Sequence, residues 1–419
     1  MMSMRVPDMR ILCVTNLFPN RFQPNRGIYN WNHFTALQQH AAVRVIAPVS
    51  WTDELSARRH GCRRLVTEDW QAWNGVEVVY PRYFYTPWVL RGAYGAFLKT
   101  SIARAFRAAV ADFRPDIIYG TWAYPDGWAA WQLAREARLP VVVKVHGSDL
   151  LLLDEYPGRK RRTMAMLQGA DAISAVSQDL ADRAAALGTV PQKAHAILQG
   201  TDTTLFFPGD CRAARAEIGV PAERRRILFV GNLVPGKGVK FLVEACQRLA
   251  RDGIDFEVDI VGEGPLHATL TRQIGKLGLT ERVHLRGRKL QAQLPPWYRA
   301  ADVVVLPSFS EGIPNVLVEA AACGTPFVAT NVGGIPEIAH LSPLAPVAPG
   351  DCAALTAALR LLMADCDAAR RAVNTVGVHS VQQGVARTVC LFQQVIDAHR
   401  AAPPDDGRAV EPALAQRQL

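Results

Sequence analysis

The sequence predicts an α/β protein built from two doubly wound, Rossmann-like domains that face each other across a cleft. The length of 419 residues exceeds one ordinary core and fits two domains of roughly 200 residues. Short β-rich runs alternate with longer amphipathic segments, as in parallel sheets with crossover helices. The alternation begins again near residue 225, after a segment over residues 199–210 that contains two glycines and a proline.

The individual elements follow from this alternation. We predict first-half strands over residues 11–15, 43–47, 76–80, 117–119, 141–145, 173–176 and 195–198, with helices between them such as 28–39, 127–136 and 178–187. Second-half strands are predicted over 226–230, 256–261, 283–285, 303–306 and 327–330, with a helix over 239–251. The predicted domains are 1–204 and 205–380, followed by a helix over 381–400 that packs back toward the first domain and a disordered tail over 401–419.

Composition excludes several classes of protein. Hydrophobic residues make up 49% and charged residues 20%, as in globular proteins, and no apolar stretch is long enough to span a membrane. Residues 1–8 lack the apolar core of an export signal, so a cytoplasmic location is expected. The eight cysteines are scattered without metal-ligand spacing, which indicates reduced thiols and no metal site.

Most of the net charge of +9 lies in the first half of the chain. A basic half could meet nucleic acid, an anionic membrane surface or a phosphorylated substrate, or it could be the solvated surface of an arginine-rich chain. Aromatic and basic residues are interleaved over residues 70–113, and a basic cluster follows at 159–162. The segment 88–113 could be an amphipathic helix on a membrane, or its aromatic residues could fill the core and line an acceptor cleft.

The segment 301–338 carries the clearest functional pattern. A buried strand leads into a loop with Glu311, and Pro314 and Asn315 then signal the start of a helix. Amide groups at such a helix start bind anions, so a diphosphate is the obvious ligand. Glu319, about one turn into this helix, suits the hydroxyl groups of a ribose, although it could also be an ordinary surface carboxylate.

A second pattern is the glycine-bearing loop 231–238, which follows a strand and opens a helix. Its glycines permit close backbone approach to a ligand, and Lys237 supplies a point charge for phosphate oxygens. The spacing is not that of a Walker loop.

Four segments in order resemble the retaining GT-B-fold glycosyltransferases of family 4, the group 1 glycosyltransferases, which include bacterial polysaccharide and glycolipid enzymes. They are the loop 231–238, the run GEGPL at 262–266, the pair Glu311 and Glu319 spaced as E-x7-E, and the run GGIPE at 333–337. The resemblance spans nearly the whole chain and is most specific over residues 228–338.

The resemblance implies a role for each matching residue. Glu311 and the loop amides hold the donor sugar, Glu319 holds the ribose, and Lys237 neutralises the diphosphate; Pro314 has no N–H and contributes shape only. The expected donor-binding residues are Gly27, Gly231, Asn232, Gly262, Arg288, Ile313, Asn315, Val316 and Glu319. Asn232 stands where many members have arginine, and Arg288 is the candidate to compensate.

The first half matches the family more loosely. The run KVHGSD at 144–149 resembles the family's HG motif, so His146 is expected beside the donor sugar near the reacting centre, although a structural histidine is the alternative. The run GTD at 200–202 resembles a segment at the domain crossing and is interpreted as structural.

The resemblance implies a retaining, metal-independent glycosyltransferase with no cofactor, in which His146, Lys237 and Glu311 carry the chemistry. The DxD-like triplet at 257–259 lies mid-strand, and strand patterning is its better explanation. The expected partners are a nucleotide-sugar donor, with UDP favoured over GDP, a glycan or lipid-linked acceptor, and an anionic membrane surface, but no nucleic acid. The alternatives are an epimerase or phosphorylase of the same fold, or a non-catalytic partner subunit that resembles a glycosyltransferase.

Overall fold

The structure is a computed structural model that describes residues 9–62 and 64–402, without the side chain of Glu155. The segment in which no export signal is predicted, residues 1–8, and the predicted tail from 403 onward lie outside the described residues. No described helix is both long and apolar enough to cross a bilayer.

The first domain is built on one eight-stranded sheet whose strands are parallel except at one edge. Its strands and those of a small two-stranded sheet (β3 and β6) are β1 Arg10–Val14, β2 Ala42–Ile46, β3 Val49–Ser50, β4 Gln71–Trp73, β5 Val76–Val79, β6 Arg82–Tyr83, β7 Ile117–Thr121, β8 Val141–Val145, β9 Ala172–Ala175 and β10 Ala194–Ala196. The order in the large sheet is β10-β9-β8-β7-β1-β2-β5-β4. The near-continuous apolar runs of β1, β7 and β8 suit strands that are covered on both faces.

The described residues of the first domain also form α-helices. They are α1 Ile28–Leu37, α2 Trp51–Arg59, α3 Tyr94–Phe113, α4 Trp128–Ala137, α5 Ser148–Leu151, α6 Pro157–Gly169 and α7 Gln178–Ala186. Helix α3 presents Leu98, Ile102 and Phe106 to the core, where each is fully or almost fully buried. The hypothesis of a membrane-bound helix over 88–113 is therefore wrong for this helix, because its apolar face already packs inside the protein.

The second domain has a five-stranded, all-parallel sheet in the order β13-β12-β11-β14-β15. Its elements are α8 Cys211–Glu217, β11 Arg225–Val230, α9 Val239–Arg251, β12 Phe256–Val261, α10 His267–Lys276, β13 Val283–Gly287, α11 Pro295–Ala300, β14 Val303–Leu306, α12 Asn315–Ala322, β15 Phe327–Ala329, α13 Ile335–Ile338, α14 Cys352–Ala364, α15 Cys366–Arg371 and α16 Val381–Ala401. The prediction of two doubly wound α/β domains is confirmed.

The last helix, α16, packs on the first domain. Its Phe392 is buried in the same apolar cluster as Ile11 and Val45, and its ring lies 4.9 Å from that of Tyr119, centroid to centroid. At its far end, Arg400 Nη2 donates to Asp116 Oδ1 at 2.8 Å. The chain therefore passes between the domains twice, at adjacent points joined by a bridge between Thr201 and Ser380.

The carboxylates of the DxD-like triplet have structural partners. Arg226 of β11 is buried and donates to Glu257 at 2.6 Å and to Asp259 at 2.5 Å, both on the neighbouring strand β12. Arg286 of β13 adds a bond of 2.6 Å to Asp259. A buried charge is stable when it is paired and hydrogen-bonded in this way, so the triplet serves the sheet.

Candidate active site

The site begins with two loops at the carboxyl ends of neighbouring strands in the second domain. The loop after β11 carries Lys237, and the loop after β14 carries Glu311, just before α12 begins at Asn315. Lys237 Nζ lies 2.6 Å from Glu311 Oε1. In open parallel sheets the carboxyl ends of the strands form the ligand crevice, and this ion pair lies at that edge.

A cavity of 330 Å³ opens beside the ion pair and is lined from both domains. The predicted donor-binding residues that line it are Gly231, Asn232, Arg288, Asn315, Val316 and Glu319, together with the predicted catalytic Lys237. The first domain contributes Asn25, Ile28 and Tyr29 from the start of α1. An adjoining cavity of 460 Å³ adds Gly262 and shares Gly231, Asn232 and Arg288. The fold thus brings together residues that lie nearly 300 positions apart.

Glu319 is held in place by two partners that the sequence analysis missed. Tyr298 Oη donates to Glu319 Oε2 at 2.7 Å, and Gln291 Nε2 donates to Oε1 at 3.4 Å. Burial raises the pKa of Glu319, while these hydrogen bonds act in the opposite direction. Gln291 also accepts from Asn32 Nδ2 of α1 at 3.0 Å, so this carboxylate is connected to the first domain.

His146 lies in a tight turn that follows β8. The backbone N–H groups of His146 and Gly147 donate to Asp149 Oδ1 at 3.0 and 2.7 Å, and the N–H of Ala123 donates to Oδ2 at 3.0 Å. The imidazole lies between the rings of Tyr29 and Trp122, with centroid separations of 5.1 and 5.9 Å. Its Nε2 has no hydrogen-bond partner among the described residues. These hydrogen bonds therefore fix the backbone of the turn, and the two aromatic rings pack against the imidazole.

The turn that carries His146 touches the loop that carries Glu311. A Cβ atom added to Gly312 would come within 2.1 Å of the carbonyl oxygen of His146, so only glycine fits there. The two domains thus approach backbone to backbone, which places His146 beside Glu311 although the two come from different domains.

Burial and the nearby ammonium group of Lys144 determine the protonation of His146. Lys144, on β8, is buried and donates from Nζ to Gln199 Oε1 at 2.6 Å, and burial lowers the pKa of this ammonium group to about 7. Burial, with a smaller contribution from Lys144, lowers the pKa of His146 well below its ordinary value. His146 is therefore neutral near pH 7.

Two predicted donor residues lie outside both cavities. Gly27 forms the start of α1, in the left-handed conformation, between the cavity residues Asn25 and Ile28. The side chain of Ile313 packs against the apolar clusters of both domains, which leaves its backbone for a ligand. Lys289 lines both cavities and was missed; its place beside Arg288 was the available signal. Tyr298 had no signal, because nothing in the sequence pairs it with Glu319.

Among the residues that the structure describes, no group of three or more His, Cys, Asp or Glu side chains is placed to hold a metal ion. A larger interdomain cavity of 610 Å³, lined by β10, α13 and α16, contains none of the predicted site residues.

Two facing α/β domains with a cationic, carboxylate-bearing cavity between them define a glycosyltransferase of the GT-B fold. Family models match both halves: the Glycosyltransferase Family 4 model over residues 28–205 and the model for glycosyl transferases group 1 over residues 224–365. The chain belongs to the group 1 glycosyltransferases.

Similar proteins agree with this assignment. TuaC of Bacillus subtilis, a glycosyltransferase assigned to teichuronic acid biosynthesis, is 28% identical over 346 residues, which is 79% of this chain and 83% of TuaC. D-inositol 3-phosphate glycosyltransferase 1 of Catenulispora acidiphila is 35% identical over 221 residues, covering 48% of this chain and 53% of that protein.

Solved structures share the fold over 94% of this chain and 100% of theirs. Sucrose-phosphate synthase from Thermosynechococcus elongatus aligns with a TM-score of 0.77 at 21% identity. HepE from Anabaena, solved in complex with UDP-glucose, aligns with a TM-score of 0.68 at 20% identity. At these identities the likeness concerns the fold alone.

Proposed function

We propose that this glycosyltransferase is retaining and metal-independent, and that it uses a UDP-sugar in preference to a GDP-sugar. Its acceptor is a glycan or a lipid-linked glycan of cell-surface polysaccharide synthesis. The observation that carries the proposal is the cavity shared by both domains, in which Lys237 and Arg288 accompany the carboxylate of Glu319. Cations suit a diphosphate and a buried carboxylate suits the hydroxyl groups of a ribose.

The donor diphosphate lies between Lys237 and the amino end of α12 in this proposal. The N-terminus of that helix has no side-chain cap, so its amide groups, including those of Asn315 and Val316, are available to an anion. Arg288 and Lys289 line both cavities next to Asn232. They supply the positive charge that an arginine in place of Asn232 would have supplied.

The sugar occupies the junction of the His146 turn and the Glu311 loop. Glu311 accepts hydrogen bonds from sugar hydroxyl groups, and the neutral His146 donates or accepts one through the unpartnered Nε2. Both residues position the sugar at the contact between the domains. This placement is supported by the close approach of His146 and Gly312.

The proposed chemistry follows from the charges in the site. As the bond from the sugar C1 to the diphosphate oxygen breaks, the leaving group gains negative charge, which Lys237, Arg288 and the α12 amides stabilise without a metal. The acceptor attacks C1 from the same face, and its proton passes to the departing phosphate oxygen. Retention of configuration is the outcome of such same-face attack.

Similar proteins favour the acceptor class. TuaC, which is aligned over 83% of its own length, is assigned to teichuronic acid biosynthesis. A cytoplasmic enzyme at the inner face of the membrane would meet both a soluble donor and a lipid-linked glycan.

Membrane contact is proposed at the loop before α3. Phe84, Trp88, Val89 and Leu90 expose 57, 83, 60 and 62% of their surface. Exposed aromatic and aliphatic side chains beside basic residues are typical of peripheral membrane contact.

The membrane contact is tested by flotation with phosphatidylglycerol vesicles at low salt. We expect Trp88→Ser combined with Leu90→Ser to abolish flotation, and Val376→Ser, at another exposed apolar residue, to leave it unchanged. No flotation of the wild type would refute the contact.

The donor site is tested by calorimetric titration with UDP and GDP, with and without EDTA. We expect UDP to bind in the micromolar range and to survive EDTA. Binding is lost in Lys237→Ala and Glu319→Ala but kept in Lys240→Ala, a matched control on an exposed site three residues away. No nucleoside diphosphate binding by folded protein would refute the proposal and favour the non-catalytic partner subunit, with Asn232 as the first cause to test.

A further inference from the structure

Arginine and aromatic side chains alternate in a stack in the first domain. The guanidinium carbon of Arg91 lies 5.8 Å from the ring centroid of Trp88 and 5.6 Å from that of Tyr156. Arg159 lies 4.5 Å from the same Tyr156 ring and 5.9 Å from that of Tyr124. We call these five side chains the arginine–aromatic stack. Each distance is within the range of a cation–π interaction.

Backbone contacts build this stack from two separate segments. Gly92 and Gly158 approach so closely that a Cβ atom on Gly92 would lie 3.4 Å from the Cα of Gly158. Arg162 Nη1 donates to the carbonyl oxygen of Gly92 at 2.6 Å, and the N–H of Gly95 donates to Tyr124 Oη at 2.7 Å. The two arginines adjacent to these glycines, Arg91 and Arg159, are therefore held on either side of Tyr156.

The two arginines of the stack carry positive charge. Among the side chains that the structure describes, which exclude that of Glu155, no carboxylate lies within salt-bridge distance of Arg91 or Arg159. The Nε atom of Arg159 is buried and has no hydrogen-bond partner among those residues. A buried donor without an acceptor costs free energy, so this site favours an anion.

The position of the stack connects it to the reaction. Its inner member, Tyr124, follows β7 and lies two residues after Trp122, whose ring stacks on His146. Its outer member, Trp88, belongs to the exposed apolar loop. The stack therefore extends from the segment that directly follows Trp122 to the exposed loop before α3.

We infer that the arginine–aromatic stack binds the phosphate or diphosphate ester of the acceptor. This inference rests on the proposed function, because an acceptor site needs a transferase. Guanidinium groups bind phosphate oxygens in bidentate fashion, and the aromatic rings against which these two groups pack hold them in position. Such an ester could belong to a lipid diphosphate or to a soluble sugar phosphate.

The test is calorimetric titration of UDP-saturated protein, so that the donor site is filled, with geranyl diphosphate and with glucose 1-phosphate. We expect at least one ester to bind, and Arg91→Ala and Arg159→Ala each to weaken it by about tenfold or more. Arg161→Ala is the matched control, because Arg161 lies on the same helix and is exposed, and we expect it to change nothing. Arg159→Lys keeps the charge but loses the planar fork, and an intermediate affinity is expected.

The outcomes separate the two proposals. Tighter binding of geranyl diphosphate supports the stack and assigns a lipid diphosphate, whereas tighter binding of glucose 1-phosphate supports the stack and assigns a soluble sugar phosphate. Absence of binding by either ester, or equal binding by wild type and the alanine variants, overturns the inference. UDP affinity should stay unchanged in all of these variants. If UDP does not bind the wild type, the same titrations without UDP still test the stack, and the proposed function alone fails.

Discussion

Lys237 Nζ lies 2.6 Å from Glu311 Oε1, so the cation proposed to neutralise the donor diphosphate is paired with the carboxylate proposed to hold the donor sugar. Both side chains are largely shielded from solvent, with exposed fractions of 28% and 9%. A shielded pair interacts more strongly than one in water. A bound diphosphate therefore has to share Lys237 with Glu311. The effects of the two residues on nucleotide binding and on turnover can be separated by experiment.

The first prediction concerns Glu311→Gln. Removing this negative charge frees Lys237 and reduces repulsion toward phosphate, so UDP binds at least as tightly as to the wild type. Turnover of the active donor among UDP-glucose, UDP-galactose and UDP-N-acetylglucosamine falls by about 100-fold or more, because the sugar hydroxyl groups lose a charged hydrogen-bond acceptor. Calorimetry and product release measure the two quantities. Parallel loss of UDP affinity and turnover would contradict the separate roles.

The second prediction concerns Tyr298→Phe, which removes the hydroxyl group that donates to Glu319 at 2.7 Å. A hydrogen bond to a charged group contributes about 1.5–3 kcal/mol, so a misplaced Glu319 should weaken UDP binding by about tenfold or more. The control is 2′,3′-dideoxy-UDP, which lacks the ribose hydroxyl groups and should bind wild type and variant equally. If the variant weakens both ligands equally, Glu319 does not hold the ribose.

The third prediction concerns His146→Ala. Turnover should fall as far as in Glu311→Gln, while the dissociation constant for UDP stays unchanged, because we propose that His146 contacts the sugar and not the nucleotide. Burial holds the pKa of His146 well below its ordinary value, so the imidazole stays neutral across pH 6–8. Any ionisation that the wild-type pH profile of kcat/KM shows in that range should therefore also be present in the variant. Unaltered turnover would remove His146 from the site.

The fourth prediction concerns the buried ammonium group of Lys144, whose pKa burial lowers from 10.5 to about 7. Between these values only the unfolded chain binds the proton, so this group makes stability rise as the pH increases from 7 toward 10. Lys144→Met should raise the melting temperature most below pH 7, and the gain should shrink toward pH 10. Lys240→Met, at an exposed lysine, should show no such trend. A pH-independent difference would contradict the shift.

The fold and the donor motifs were readable from the sequence because they are local. The strands 256–261 and 303–306 and the helix 239–251 have the predicted bounds, since apolar runs between glycines and prolines leave few alternatives. The start of α12 was likewise given by Pro314 and Asn315. Elements with weaker signals, such as α3, began several residues later than predicted and buried the face that had suggested a membrane.

The sequence by itself determined the two doubly wound domains, the order along the chain of the loops that follow the strands, and the types of side chain at the site. Each of these depends on a short-range pattern. Only the tertiary structure decided which distant residues meet. Tyr298 and Gln291 reach Glu319 across 21 and 28 positions of the chain, and Arg91 reaches Tyr156 across 65, through packing between different elements. No local pattern encodes such contacts, since they follow from how helices pack on sheets and how one domain closes on the other.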